Sequence, residues 1–413
     1  MTITHAEIWH MNMKFHWIKM NEKNIFRLPT PIFLLKLHCN YKLLCIFVAK
    51  LESMERFKNI EIKNFRGLDH LKIDDFSRVN VFLGQNSSGK STILEAILLL
   101  LGMSSPDLPQ TLNKIRSRNN FSGVWDVRYM FNNLILSRSP EISAEFADDV
   151  RRHLKLNLSY VFNENDDIAR ENNPLPISDT TAYINTLEML FDIVDKEEKN
   201  SYRSSLTFNQ GGAITGRKLA DGYIEKVFVS LITADLLAGS LVNDLSELFK
   251  RKQKDLIVER LANFDKNINT IDILNNDVYI GFEGINEMLP LGMSGDGLRR
   301  FLNIVASSAN PMTNIILIDE IDNGLHYSAY KKLWEAIFAL ATSTNKQVFV
   351  TTHNKETLYK LNEMLEDNPD YQKELRLYTI EKTLKKGIQA YKYTYEGLSG
   401  ACENDIEIRS IVL

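Results

Sequence analysis

The sequence predicts an α/β fold in which a mainly parallel sheet is flanked by helices, with an antiparallel β element and a helical insertion. Three observations predict it. Apolar runs at residues 78–83, 314–318 and 347–352 have the composition of strands buried on both faces. Helical stretches at 92–101, 298–309 and 330–342 alternate with them, and such alternation builds a parallel sheet covered on both sides. Each apolar run also ends in residues that packing does not require: Gly84, the pair Asp319 and Glu320, and His353.

The chain has 413 residues, 44% hydrophobic and 25% charged, which excludes a mainly disordered chain, a collagen-like fibre and a coiled-coil rod and suits two or three domains. A net charge of −4 and a pI of about 6.1 create no global basic field for nucleic acid, although a local basic patch stays open. Cys39, Cys45 and Cys402 cannot form a disulfide framework, so a reducing, cytoplasmic compartment is expected. No uncharged apolar stretch is long enough for a membrane helix; the nearest, 31–51, is broken by Lys36, Lys42 and Lys50. No membrane partner is expected.

Residues 1–53 differ from the rest. They lack glycine, hold four of the eight histidines, and follow neither a period of 2 nor one of 3.6. They read as an extension ahead of a natural beginning at Met54; a basic segment that touches a membrane surface or partner is the alternative. From Met54 the order is strand (56–62), turn, strand, then 78–83 running into a glycine–serine loop and the helix 92–101, which is half of a βαβ unit. Residues 54–103 and 290–413 are assigned to one core, and 104–289 to an insertion that is β-rich and then helical. Within it, 154–162 and 204–208 read as strands, Gln210-Gly211-Gly212 as a hairpin turn, 163–179 as an exposed polar loop, and 231–264 as helical. The basic run 250–254 reads as a solvated helix face. After His353, residues 375–380 and 390–395 read as sheet completion, and Cys402 as a buried or surface thiol rather than a nucleophile.

Gly84-Gln85-Asn86-Ser87-Ser88-Gly89-Lys90-Ser91 fits G-x-x-x-x-G-K-[ST] at every fixed position. Its glycines let consecutive N–H groups converge on phosphate oxygens, and the helix that begins there, with Thr92 in its first turn, adds its positive end. Lys90 supplies a full charge near the β and γ phosphates, and Ser91 a hydroxyl for Mg²⁺. The strand before and the helix after are the context that gives the motif its meaning: it implies a nucleoside triphosphate.

At the end of the 314–318 run, Asp319 is placed to hold the water shell of the metal, and Glu320, one residue on, to orient or deprotonate an attacking water. His353 ends the 347–352 run. Ligands of open α/β sheets sit beyond the carboxyl ends of the strands, which makes His353 a candidate γ-phosphate sensor.

Together, Phe65-Arg66-Gly67, the phosphate loop, Ile318-Asp319-Glu320 and Thr351-Thr352-His353-Asn354 resemble the P-loop NTPases with ABC-type ATPase heads found in SMC, RecF and OLD proteins. Gly295-Asp296-Gly297-Leu298-Arg299-Arg300 and residues 318–327 resemble more particularly the prokaryotic "AAA family ATPase" proteins. The resemblance covers Met54 to about residue 400 and is diffuse over 104–285. It implies that Arg66 belongs to the nucleotide site. It also implies that Met293-Ser294-Gly295-Asp296-Gly297 is a signature loop: Ser294, Gly295, Asp296 and Gly297 would cap ATP bound to a second subunit. Asp322-Asn323-Gly324 corresponds to the D-loop, with Asp322 where many relatives carry glutamate. No residue matches the Q-loop glutamine, Gln110 being a poor candidate, and the long coiled-coil arm is absent.

The expected activity is Mg²⁺-dependent ATP hydrolysis by a nucleotide-sandwich homodimer, which could build higher oligomers, acting as a conformational switch in DNA maintenance or anti-phage defence. DNA and a separately encoded effector or nuclease are the further partner candidates that the resemblance implies. A nuclease on this chain is not expected, because no D-x-D cluster follows His353. The alternative is a nucleic-acid-binding or scaffold module in which ATP is mainly structural. A transporter subunit is disfavoured by the Phe65-Arg66-Gly67 element and the large insertion, and GTP specificity by the lack of an N-K-x-D element.

Overall fold

The computed structural model describes residues 56–117, 124–162, 182–233, 239–383 and 387–410. The chain divides into two units, Met1–Glu52 and Ser53–Leu413, and the described residues all belong to the second. The expectations for 1–53 and for the loop 163–179 lie outside the described residues.

Strand β1 (Phe57–Phe65) turns its apolar residues inward and pairs antiparallel with β2 (Leu68–Asp74). Next come β3 (Val79–Leu83), buried along its whole length, and helix α1 (Lys90–Leu101), buried at almost every position. Helix α2 (Leu108–Ser117) precedes the antiparallel strands β4 (Glu141–Phe146), β5 (Arg151–Phe162), β6 (Ala182–Asp195), β7 (Glu198–Phe208) and β8 (Ile214–Lys218). These join β1 and β2 in a seven-stranded sheet of order β2-β1-β4-β5-β6-β7-β8. The expected hairpin turn links β7 to β8, with Gly212 at φ +80° and its N–H on the Asn209 carbonyl.

Strand β9 (Val229–Ile232) leads to helices α3 (Gly239–Lys250) and α4 (Lys254–Phe264), then to a small antiparallel sheet of β10 (Ile268–Leu274), β11 (Asp277–Phe282) and β12 (Leu289–Pro290). Helix α5 (Asp296–Ala309), β13 (Ile315–Ile318), α6 (Tyr330–Ser343), β14 (Gln347–Thr351), α7 (Lys355–Asp367), β15 (Leu375–Thr383), β16 (Gly387–Tyr393) and α8 (Tyr395–Glu403) complete the described chain. The second large sheet has the order β16-β15-β3-β14-β13-β9, parallel throughout except for the β15–β16 pair.

Three expectations change. Residues 104–289 are not one continuous insertion, because β9 inside that span pairs parallel with β13 as the edge of the second sheet. Only Ile232 of its four residues is fully buried, so its apolar pattern is weak. The helical span 231–264 is a strand end and two helices: Lys252 takes a left-handed φ of +59°, and Gln253 N–H closes on the Leu248 carbonyl, a turn that ends α3. The last strand stops at Tyr393, and Tyr395 opens α8.

One apolar cluster, containing Phe57, Phe82, Ile93, Ile97 and Phe349, fills the space around α1 between the two large sheets; a second packs α5, α6 and α7 on the opposite face of the parallel sheet. Phe349 is fully buried, with its ring 5.8 Å from Phe57, 5.0 Å from Phe76 and 6.1 Å from Phe82. Phe349→Ala is expected to cost about 3–5 kcal/mol, read as a lowered urea midpoint at unchanged slope.

Candidate functional site

The phosphate loop is built by steric necessity at the end of β3. Gly84 has φ +150°, and a Cβ there would meet Ser88 Oγ at 2.5 Å and the Ile380 carbonyl at 2.7 Å. Gly89, at φ +104°, precedes the first residue of α1, and a Cβ on it would press on Leu68 at 2.9 Å. No side chain caps α1, so its first N–H groups face the loop. Gln85, Asn86 and Ser87 are exposed, and the buried Ser88 Oγ has no partner. Lys90 Nζ donates to the Gly84 and Gln85 carbonyls, 2.8 Å each. Burial lowers the Lys90 pKa, while Asp319, Glu320 and Asp322 oppose that shift.

The end of β13 faces this loop. Asp319 Oδ1 accepts from Ser91 Oγ at 2.9 Å and from Thr351 Oγ1 at 2.6 Å. Glu320 adopts φ +50°, a strained backbone for a side chain of this size, and its N–H donates to Thr351 Oγ1 at 2.8 Å. Thr351 is thus the hinge pin between the two acidic residues. Thr352 Oγ1 donates to Asp322 Oδ1 at 2.6 Å, which ties the next residue of that strand end to the D-loop stretch. His353 is exposed, and its carbonyl accepts from Arg409 Nη1 at 2.7 Å. Asn354 then caps α7 by accepting from Glu356 N–H.

Sequence reading assigned site roles to Ser91, Asp319, Glu320 and His353 but none to Thr351, Thr352 or Arg300, although all three lie in the stretches that carry the family resemblance. The signal for the threonines was present: two hydroxyls in an otherwise apolar strand end, both fully buried, need partners. For Arg300 the motif gave its place in the chain but not its contact. Its guanidinium reaches from α5 to the Asp319 and Glu320 carbonyls, which are distant in sequence.

Arg66 sits differently from a free phosphate ligand. Its Nε lies 2.7 Å from Glu95 Oε2, Glu95 also pairs with Arg116, and Arg116 donates to Thr92 Oγ1 at 3.0 Å. Burial pushes the Arg66 guanidinium down to about 10 against the pull of Glu95. A cavity of about 400 Å³, lined among others by Arg66, Gly67, Asn113, Arg116 and Tyr129, opens beside this cluster. Gln110 is buried in α2.

The 293–297 loop lies ahead of α5. Met293 is 81% exposed, Asp296 pairs with Arg299 of its own helix at 2.7 Å, and among the described residues the buried Ser294 hydroxyl has no partner. Gly297 packs on Gly324, whose φ is +75°; a Cβ on Gly297 would stand 3.2 Å from the Gly324 carbonyl. Among the described residues, no hydrogen bond or ion pair joins 293–297 to the phosphate loop.

These residues fit a triphosphate and a hard cation. The orphaned Ser88 hydroxyl and the glycine cradle suit phosphate oxygens, and the adjoining Ser91 hydroxyl and Asp319 carboxylate are the oxygen donors that Mg²⁺ prefers. Among the described residues, no group of three or more His, Cys, Asp or Glu side chains could hold a metal by itself, so phosphate and water would complete its shell.

Comparison with known proteins agrees with this geometry. The family described as "AAA domain, putative AbiEii toxin, Type IV TA system" matches residues 79–358. The chain belongs to that family. This AAA-domain protein is a P-loop ATPase, and the motif resemblance described above points to the same class. It is 26% identical over 347 residues to a protein of Helicobacter pylori named "ATP/GTP phosphatase", a match that spans 79% of this chain and 92% of that one. A stretch of 45 residues is 53% identical to the DNA replication and repair protein RecF of Lactococcus lactis subsp. cremoris, covering 11% of this chain and 12% of RecF. Among solved structures, an SMC head bound to the C-winged helix domain of ScpA aligns with TM-score 0.43 at 14% identity, over 83% of this chain and 99% of that one. No helix of the described residues is long and apolar enough to cross a membrane.

Proposed function

We propose that this ATPase works as a Mg²⁺-dependent switch in which two copies close on two ATP molecules. The observation that carries the proposal is the chain Ser91–Asp319–Thr351–Glu320, in which one hydrogen-bonded array joins a phosphate-loop hydroxyl, the Asp319 carboxylate and the backbone N–H of Glu320. Ser91 and Asp319 would hold Mg²⁺, which when bound neutralises charge building on the phosphates. Lys90 and the loop N–H groups bind and orient the triphosphate. The Arg66–Arg116 cavity, beside Thr92, receives the nucleoside end. Glu320 takes a proton from the attacking water or orients it, and the exposed His353 senses the γ-phosphate.

The exposed loop with the unpartnered Ser294 hydroxyl supports a sandwich: Ser294, Gly295, Asp296 and Gly297 offer an uncapped helix start to an anion held elsewhere, and a second copy holds such an anion. Opening after hydrolysis resets a surface that a separately encoded effector, a nuclease or DNA could use, and the family description and the RecF likeness favour a role in anti-phage defence or DNA maintenance.

The test is the Ser294→Arg variant of the full chain. It is expected to bind ATP with unaltered affinity while losing ATP-dependent dimerisation in light scattering and most Mg²⁺-dependent phosphate release. A variant that dimerised and turned over normally would refute the sandwich.

A further inference from the structure

We infer that Arg300 is a positioning residue that couples the 293–297 loop to Glu320 of the same chain. The inference rests on the roles proposed for that loop and for Glu320. Arg300 stands on α5, four residues after its first residue, and only 7% of its surface is exposed. Its Nη2 donates to two successive carbonyls, those of Asp319 and Glu320, the latter at 2.8 Å. Its Nε and Nη1 are buried without partners, so these two carbonyls are what hold the guanidinium. Burial disfavours its charge, and Asp319, Asp322 and Glu320 offset that cost.

The mechanical consequence lies in the backbone. Glu320 occupies a left-handed φ of +50°, a conformation that neighbours must impose. Thr351 holds the turn through the Glu320 N–H, and Arg300 holds it through the carbonyls on either side of that residue. The same helix touches the turn's continuation, where Gly297 packs against Gly324. Farther along, α5 is anchored by Ser307 and Asn310, both bonded to Asp244. A helix fixed at its far end and gripping the acidic turn at two points near its start acts as a lever. Glu320 is already held at its left-handed φ, and when the 293–297 loop closes on a nucleotide, α5 passes that movement through Arg300 to the Glu320 peptide and aims the carboxylate. Without the loop engaged, the aim relaxes, which confines hydrolysis to the closed pair.

The experiment compares wild-type, Arg300→Ala and Arg300→Lys full-length proteins by kcat and KM for ATP and by affinity for a fluorescent ATP analogue. Arg300→Ala is expected to lower kcat on the order of 10²-fold, the effect of misplacing a catalytic group, with affinity for the analogue within about threefold of wild type. Arg300→Lys is expected to fall between the two, because the shorter lysine keeps the charge but ends its ammonium short of the position from which Arg300 Nη2 reaches both carbonyls. A merely structural role would lower stability and leave kcat per folded molecule unchanged. Wild-type kcat in Arg300→Lys, or loss of nucleotide affinity in step with kcat, would overturn the inference; if Arg300→Ala does not fold, the lysine variant decides. Wild-type protein without ATPase activity, or with turnover indifferent to Glu320→Gln, would instead refute the parent proposal.

Discussion

Lys90→Ala is expected to drive phosphate release to background and to weaken ATP binding by about 100-fold or more. Charge-assisted hydrogen bonds contribute about 1.5–3 kcal/mol each, and each 1.4 kcal/mol is tenfold in affinity. Lys90 serves more than one phosphate, so its loss removes more than a single contact. The structure adds a second reason. The ammonium also clasps the Gly84 and Gln85 carbonyls, so its loss relaxes the curl that gathers the loop N–H groups. Isothermal titration with ATP and Mg²⁺ checks the binding, and unchanged affinity would remove the phosphate loop from the site.

Glu320→Gln is expected to lower kcat by roughly 10²–10⁴-fold, the range for a positioned general base, while leaving ATP affinity within a few-fold. Glutamine keeps the shape and the left-handed turn, and the backbone bonds to Thr351 and Arg300 do not involve the carboxylate. What is lost is the charge that takes the proton. With hydrolysis stalled and binding intact, the ATP-bound pair accumulates, so light scattering would show a stable dimer in ATP and a monomer without nucleotide. A variant that remained monomeric in ATP would break the link between closure and nucleotide.

The parts of this site that were legible in the sequence are those in which cause and effect lie close along the chain. An apolar run ending in glycines and lysine, or in two carboxylates, carries its own geometry, because the strand fixes where the next residues emerge. The links between these parts were not legible. Thr351 connects Asp319 to Glu320 only because β14 lies beside β13, and Arg300 reaches the acidic turn only because α5 packs across it. Arg66 shows the same limit: the motif placed it near the nucleotide, while a partner 29 residues later, Glu95, holds its guanidinium. The β9 strand was hidden because edge strands need little burial, and the α3–α4 break because a run of lysines and arginine suits either a helix or its left-handed ending.

The approach of Gly84 to Ile380 has a reach beyond local packing. It sets β15 directly against the first glycine of the phosphate loop, although almost 300 residues separate the two in sequence. If nucleotide shifts that strand, linkage requires that the strand's seating shift the hold on nucleotide by the same factor. A protein that gripped the strand could then loosen or tighten the hold on ATP without ever approaching the phosphates.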